Sequence, residues 1–164
     1  MTLHIRKAGI DDAAAIARLG HELNAHERDP VEHFTEEAVR RDGFGDEPQY
    51  EVYLAELDGA PVAYALFYDT YETGYAARGL YLCDLHVIAS ARRQGIARAL
   101  VAAVARTAQE RGKSFLWWAS RARNQDAQAF YRSLGAIEEP VIAHALTDKA
   151  FAAVAREGAV PDDV

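Results

Sequence analysis

The sequence predicts a mixed α/β fold, a β-sheet flanked by helices, on three observations. Apolar residues alternate in short runs rich in β-branched and aromatic side chains, which is a strand signature. Between several of these runs the apolar spacing changes to the three-to-four period of amphipathic helices. The order opens with hairpin-connected strands and then alternates strand with helix, so antiparallel and parallel pairings share one sheet. A chain of 164 residues is long enough to bury one core. It is read as one domain over residues 1–164, with residues 158–164 a loose tail.

The elements follow in order. Leu3–Lys7 alternates as a first strand. Asp11 or Asp12 caps a helix through about Glu27, with Ile16, Leu19 and Leu23 on one face. Thr35, followed by Glu36 and Glu37, starts a short helix ending near Gly43. Tyr50–Leu57 and Pro61–Tyr71 are strands joined at the turn Asp58-Gly59, and Thr70–Gly79 is a polar link. Leu80–Ile88 is the central strand. A helix from about Gln94 to Arg111 buries Ile96, Leu100, Val101, Val104 and Ala108, and Gly112 stops it. Ser114–Ala119 is a further strand, Asn124 caps a helix to about Leu134, and Gly135 ends it. Val141–Leu146 reads as a last strand, and Thr147 caps a final helix to about Glu157.

Composition narrows the function. The formal net charge is −7, which argues against nucleic acid or an anionic membrane as partner and favours cationic ligands. Cys83 is the single cysteine, so no internal disulfide forms and a reducing, cytoplasmic setting is expected. The sequence has no leader-like start and no apolar run long enough to cross a bilayer.

The chemistry concentrates between the central strand and its helix. Arg92-Arg93-Gln94-Gly95-Ile96-Ala97-Arg98 is a basic turn entering a helix. A helix N-terminus offers outward N–H groups and the positive end of a dipole. Gly95 lets an anion approach the backbone, Ala97 keeps the next position small, and the arginines add charge. The turn therefore suits a pyrophosphate. A solvated basic helix start is the alternative reading. The turn is neither a Walker loop nor a G-x-G-x-x-G fingerprint.

Arg92-x-x-Gly95-x-Ala97 after an apolar strand resembles the acetyl-CoA signature of the GNAT superfamily of N-acetyltransferases. Downstream, Asn124, then Ala127-Gln128-Ala129-Phe130-Tyr131, then Leu134-Gly135-Ala136, is similar to that superfamily's second signature. Asp42-Gly43-Phe44-Gly45, Phe67–Glu72 and Leu80-Tyr81-Leu82 with Asp84 resemble the spermidine/spermine (diamine) branch. The resemblance implies a twisted mixed sheet splayed open at its central strands, acetyl-CoA as co-substrate and no metal. It implies a small cationic amine as acceptor, a polyamine, diamine or lysine-like molecule, and a homodimer as the common assembly.

Residue by residue, the resemblance implies that Leu85 and Val87 hold the pantetheine arm through backbone groups. It gives the amides of Arg93, Gln94, Gly95, Ile96, Ala97 and Arg98 to the pyrophosphate, with Arg92 and Arg93 as nearby charge. Asn124 reaches the pantetheine, and Tyr131 is the general acid for the leaving thiolate. His26, Glu27, Glu72 and Asp84 are the acceptor-side candidates, with Asp84 also able to route the amine proton. Two departures stand out. His26 occupies a position where the branch has an aromatic residue. Cys83 occupies one where the branch has Glu, and a thiol with an ordinary pKa of roughly 8.5 is a poor substitute base; Cys83 is read as a small buried hydrophobe. A GNAT enzyme for another amine (amino acid, antibiotic or protein N-terminus) and a non-catalytic CoA-binding sensor remain the competing readings.

Overall fold

The computed structural model describes residues 1–158; most of the expected tail lies outside them. The chain divides into a unit over Met1–Asn124 and a smaller one from Gln125 onward. In the first, β1 (Leu3–Lys7), β2 (Glu51–Leu57), β3 (Ala60–Glu72), β4 (Ala77–Val87) and β5 (Phe115–Trp117) form one sheet in that order. The first four pair antiparallel and β4 pairs parallel with β5. A parallel neighbour requires a crossover, and α3 (Ile96–Glu110) provides it.

Helices cover both faces. On one, α1 (Ala13–Glu27) and α2 (Glu36–Phe44) close a core of Ile16, Leu19, Val39, Val52, Leu54, Tyr64 and Leu66. On the other, α3 buries Ile96, Leu100, Val101, Val104 and Ala108, the stripe expected from spacing. Tyr53, stacked on Phe67 with ring centroids 5.5 Å apart, bonds the α3 hydroxyl of Thr107 at 2.8 Å. Gly20 lets α1 pass close to the sheet: a Cβ there would lie 2.3 Å from the Phe34 ring and 3.5 Å from the Tyr64 hydroxyl.

Several boundaries differ from expectation. The helix expected from Gln94 begins at Ile96, because Gly95 takes φ 79° and ends the preceding turn in a left-handed conformation. The expected link over residues 70–79 is mostly strand, interrupted only by a 3-10 turn at Thr73–Tyr75. The Val141–Leu146 strand is absent from the described residues: no sheet edge pairs with this segment, and Val141 and Ile142 are 61% and 83% exposed. The second unit consists of α4 (Gln125–Ser133) and α5 (Asp148–Glu157) with their connections. No helix among the described residues is long and apolar enough to cross a membrane.

Candidate active site

The β4–β5 pairing covers three positions, Gly79↔Phe115 to Tyr81↔Trp117. β4 continues to Val87, and Leu82–Val87 have no partner on that side among the described residues. This is the expected splay. Ile88 N–H donates to Val62 on the β3 side at 3.0 Å. Backbone groups alternate between the two edges of a strand, so those of Leu85 and Val87 face the open edge.

A bulge decides which side chains face the opening. Leu66 pairs with Asp84 but Phe67 pairs with Leu82, leaving Cys83 as the extra residue. Without the bulge, Leu80, Leu82, Asp84 and His86 would share one face. With it, Leu80 and Leu82 turn toward α3, while Asp84 and His86 turn toward α1. Cys83, expected to be buried, is exposed at this kink. The atoms packed around its thiol and the adjacent Asp84 carboxylate push its pKa up to about 12.

Asp84 Oδ2 accepts a hydrogen bond from the Tyr64 hydroxyl at 2.7 Å. Burial raises the Asp84 pKa above the usual carboxylate range, and hydrogen bonds from Tyr64 and Cys83 oppose that rise. His86, 6% exposed, lies 3.4 Å from Glu22 on α1. Burial lowers its pKa against the pull of Glu22, which favours the neutral imidazole.

The turn into α3 presents outward backbone donors, a geometry that suits an anion. Ala99 N–H bonds to the Gly95 carbonyl at 3.0 Å, so the amides before it point out along the helix axis. Arg93 and Gly95 both have positive φ, 63° and 79°, which curls successive N–H groups toward one side. A Cβ on Gly95 would meet nothing within 4 Å, so the space above this backbone is open. Arg92 has a different part: its Nε donates to the Val87 carbonyl at 3.0 Å and ties the turn to β4. These features fit a CoA-like group: open strand edge for amides, outward helix end for phosphates.

The acceptor-side candidates are dispersed. Glu27 lies at the end of α1 and is already engaged. Asn124 Nδ2 donates to its Oε1 at 3.0 Å, Arg121 and Arg123 approach its Oε2 at 3.6 and 3.8 Å, and Arg123 also bonds its carbonyl. Arg121 further pairs with Asp29 at 2.6 Å. His26 is exposed on the same last turn. Glu72 caps its own turn, accepting from Gly74 N–H at 2.9 Å. It sits six positions along β3 from Leu66, the register partner of Asp84, or about 20 Å away at strand rise. One chain thus brings Asp84 near the α1 face, but Glu72 lies at the other end of the sheet. Tyr131 is half-buried on α4, its ring centroid 5.3 Å from that of Phe130.

Sequence reasoning missed Tyr64, Arg121 and Arg123. Tyr64 carried one signal, a phenol in an otherwise apolar strand run. The arginines carried none, since they sit in an irregular segment whose partners are nearly a hundred residues away.

The family follows from the sequence match. The chain belongs to the acetyltransferase (GNAT) family, whose profile matches residues 17–136, and it is an N-acetyltransferase. It is 38% identical over 142 residues to a thialysine N-epsilon-acetyltransferase of Bos taurus, covering 80% of this chain and 82% of that protein. The Sus scrofa protein of the same description is 36% identical over the same length. Among solved structures, an integron cassette protein from the mobile metagenome of V. cholerae superposes with a TM-score of 0.81 at 20% identity, covering 95% of this chain and 99% of that one. A ribosomal-protein-alanine N-acetyltransferase from Brucella melitensis gives 0.70 at 24% identity, covering 88% and 100%. At these identities the structural matches speak for the fold alone.

Proposed function

We propose that this enzyme acetylates the terminal primary amine of a small, cationic, lysine-like acceptor. The observation that carries the reading is Asp84, a half-buried carboxylate turned by the bulge into the α1 face beside the open edge of β4. The likeness to enzymes described as acting on thialysine, a lysine analogue, supports an amino-acid-like acceptor over a longer polyamine. So does Cys83, which removes one negative charge beside Asp84.

Acetyl-CoA, when bound, supplies an acetyl group activated as a thioester. The backbone groups of Leu85 and Val87 would hold its amide arm. The outward amides from Arg93 to Arg98 would hold its pyrophosphate. Asn124 would steady the arm from the loop after β5. Arg92 contributes charge and, through Val87, the angle of the turn.

An alkylammonium has a pKa of roughly 10.4 and carries no free lone pair. Asp84 attracts that cation and accepts its proton. Its raised pKa narrows the gap between donor and acceptor. The transfer to Asp84 comes first, because only the neutral amine has a lone pair to commit to the new C–N bond. Once that bond has formed the nitrogen's second proton is acidic and passes to solvent, and solvent restores the proton that Tyr131 gives to the sulfur. Tyr131 serves as the acid that protonates the departing sulfur, because a phenol donates without prior charge. Glu27 shapes the acceptor end indirectly, through its arginine and asparagine partners. Glu72 is close enough to act only if a second copy brings it there, as a homodimer would. We place the enzyme in the cytoplasm on its lone cysteine.

A panel of amines tests the acceptor: thialysine, lysine, diamines, spermidine, an aminoglycoside and a peptide N-terminus, each read as free thiol released from acetyl-CoA. A lysine-like molecule is expected to give the highest kcat/KM, with an amine KM that rises with salt. A best substrate that is neutral or anionic, with no salt effect, overturns the acceptor and leaves the acetyltransferase.

A further inference from the structure

Tyr64 is a polar side chain in an apolar place. It is 0% exposed and lies mid-strand between Ala63 and Ala65, which are buried as well. Phe would fill the same volume without the need to satisfy a hydroxyl. Its hydroxyl donates to Asp84 Oδ2 at 2.7 Å. The ladder explains the reach: Tyr64 pairs with His86 and Leu66 with Asp84, so Tyr64 meets Asp84 on the diagonal of one face. An ionised carboxylate only accepts, so a phenolic donor matches its charged form.

We propose that Tyr64 is a positioning residue for acetyl transfer: by donating to Oδ2 it holds Asp84 in the rotamer and charge state that take the amine proton. The inference rests on the reading of Asp84 as proton acceptor. One Asp84 oxygen is committed to Tyr64, and the amine proton goes to the carboxylate's remaining lone pairs. The Tyr64 proton stays on its own oxygen, and Asp84 later returns the acquired proton to solvent.

Two influences oppose at Asp84. Burial disfavours its charge, and the Tyr64 hydrogen bond is the largest influence restoring it, ahead of Cys83 and His86. The other titratable groups around this face are Glu22 and His26 on α1 and Arg92 after β4, which bear on His86. Tyr50 ahead of β2 senses both Asp84 and the α2 pair Arg41–Asp42. The hydrogen bonds that hold the Asp84 carboxylate come from Tyr64, at 2.7 Å, and from the adjacent Cys83.

The test uses the full chain with Tyr64→Phe, with 3-fluorotyrosine in place of Tyr64, and with Asp84→Asn. Two readouts apply: the pH profile of kcat/KM for the amine, and the carbon-13 NMR titration of the Asp84 carboxyl. Tyr64→Phe is expected to move the acid limb and the titration upward by about one pH unit, the scale of one lost hydrogen bond to a charged group. The KM for acetyl-CoA stays unchanged. The fluorinated ring, a stronger donor of nearly the same shape, moves both downward and keeps the test open if Tyr64→Phe does not fold. An unmoved limb and titration in these variants, with Asp84→Asn inactive, overturns the role of Tyr64 alone. Full turnover in Asp84→Asn overturns the proton-acceptor reading, and the role of Tyr64 in turnover with it.

Discussion

The side-chain amide of Asn124 donates to Glu27 Oε1 at 3.0 Å, joining the loop after β5 to the last turn of α1. Arg121 and Arg123 close on the same carboxylate. A carboxylate with three such neighbours holds the loop more than it attracts a free cation. Glu27→Ala and Asn124→Ala are each expected to lower stability, with a double-mutant coupling on the order of 1 kcal/mol. Urea midpoints of the four proteins measure it. A coupling near zero would mean the contact contributes nothing in solution.

Gly95 caps α3 at φ 79°, with open space where a Cβ would stand. Gly95→Ala should cost about 1 kcal/mol in backbone strain. Gly95→Val should cost more and intrude where phosphate oxygens would approach the amides. Calorimetry with CoA should show the dissociation constant rising at least tenfold in the folded Val variant. Unchanged affinity there would remove this turn from the cofactor site.

Tyr131→Phe deletes one hydroxyl and keeps the ring packed against Phe130. If the phenol protonates the leaving sulfur, kcat falls on the order of a hundredfold, while CoA affinity is retained. Stopped-flow thiol release separates the two. Full turnover in this variant would return Tyr131 to a packing role.

Glu51 sits between Lys7 at 2.6 Å and Arg111 at 2.5 and 2.9 Å. The Arg111 hydrogen bonds, with help from Lys7, pull its pKa down from 4.5 to about 2. Because the folded value is the lower one, the stabilisation is fully present above about 4.5 and is lost as pH falls toward 2. Solvent screening limits it to on the order of 1–2 kcal/mol. Glu51→Gln should therefore be less stable than wild type at pH 7, with the gap narrowing by about pH 3, as guanidinium midpoints would report. A gap that stays constant with pH would assign the loss to packing.

Much of the fold was legible because local rules sufficed. The α3 stripe, the hairpin at Asp58-Gly59 and the Thr35 cap, whose side chain accepts from Ala38 N–H at 3.1 Å, need only neighbouring residues to be read. The Val141–Leu146 run shows the limit. It has strand composition, but a strand exists only where another edge offers its N–H and C=O groups, and none does so among the described residues.

The site divides along the same line. The basic turn Arg92–Arg98 with its Gly95 and the order of the two signatures can be read along the chain, so the sequence by itself determined the acetyltransferase class and singled out the turn proposed for the cofactor. The placement of Asp84 was decided in three dimensions. Plain alternation would have put Asp84 on the face of Leu80 and Leu82. The extra residue Cys83 turned it instead to α1, where Tyr64 from β3 waits at 2.7 Å. Side-chain direction in a strand reverses with every residue inserted. A single bulge, set by pairing between strands, therefore decides which face of the sheet carries Asp84.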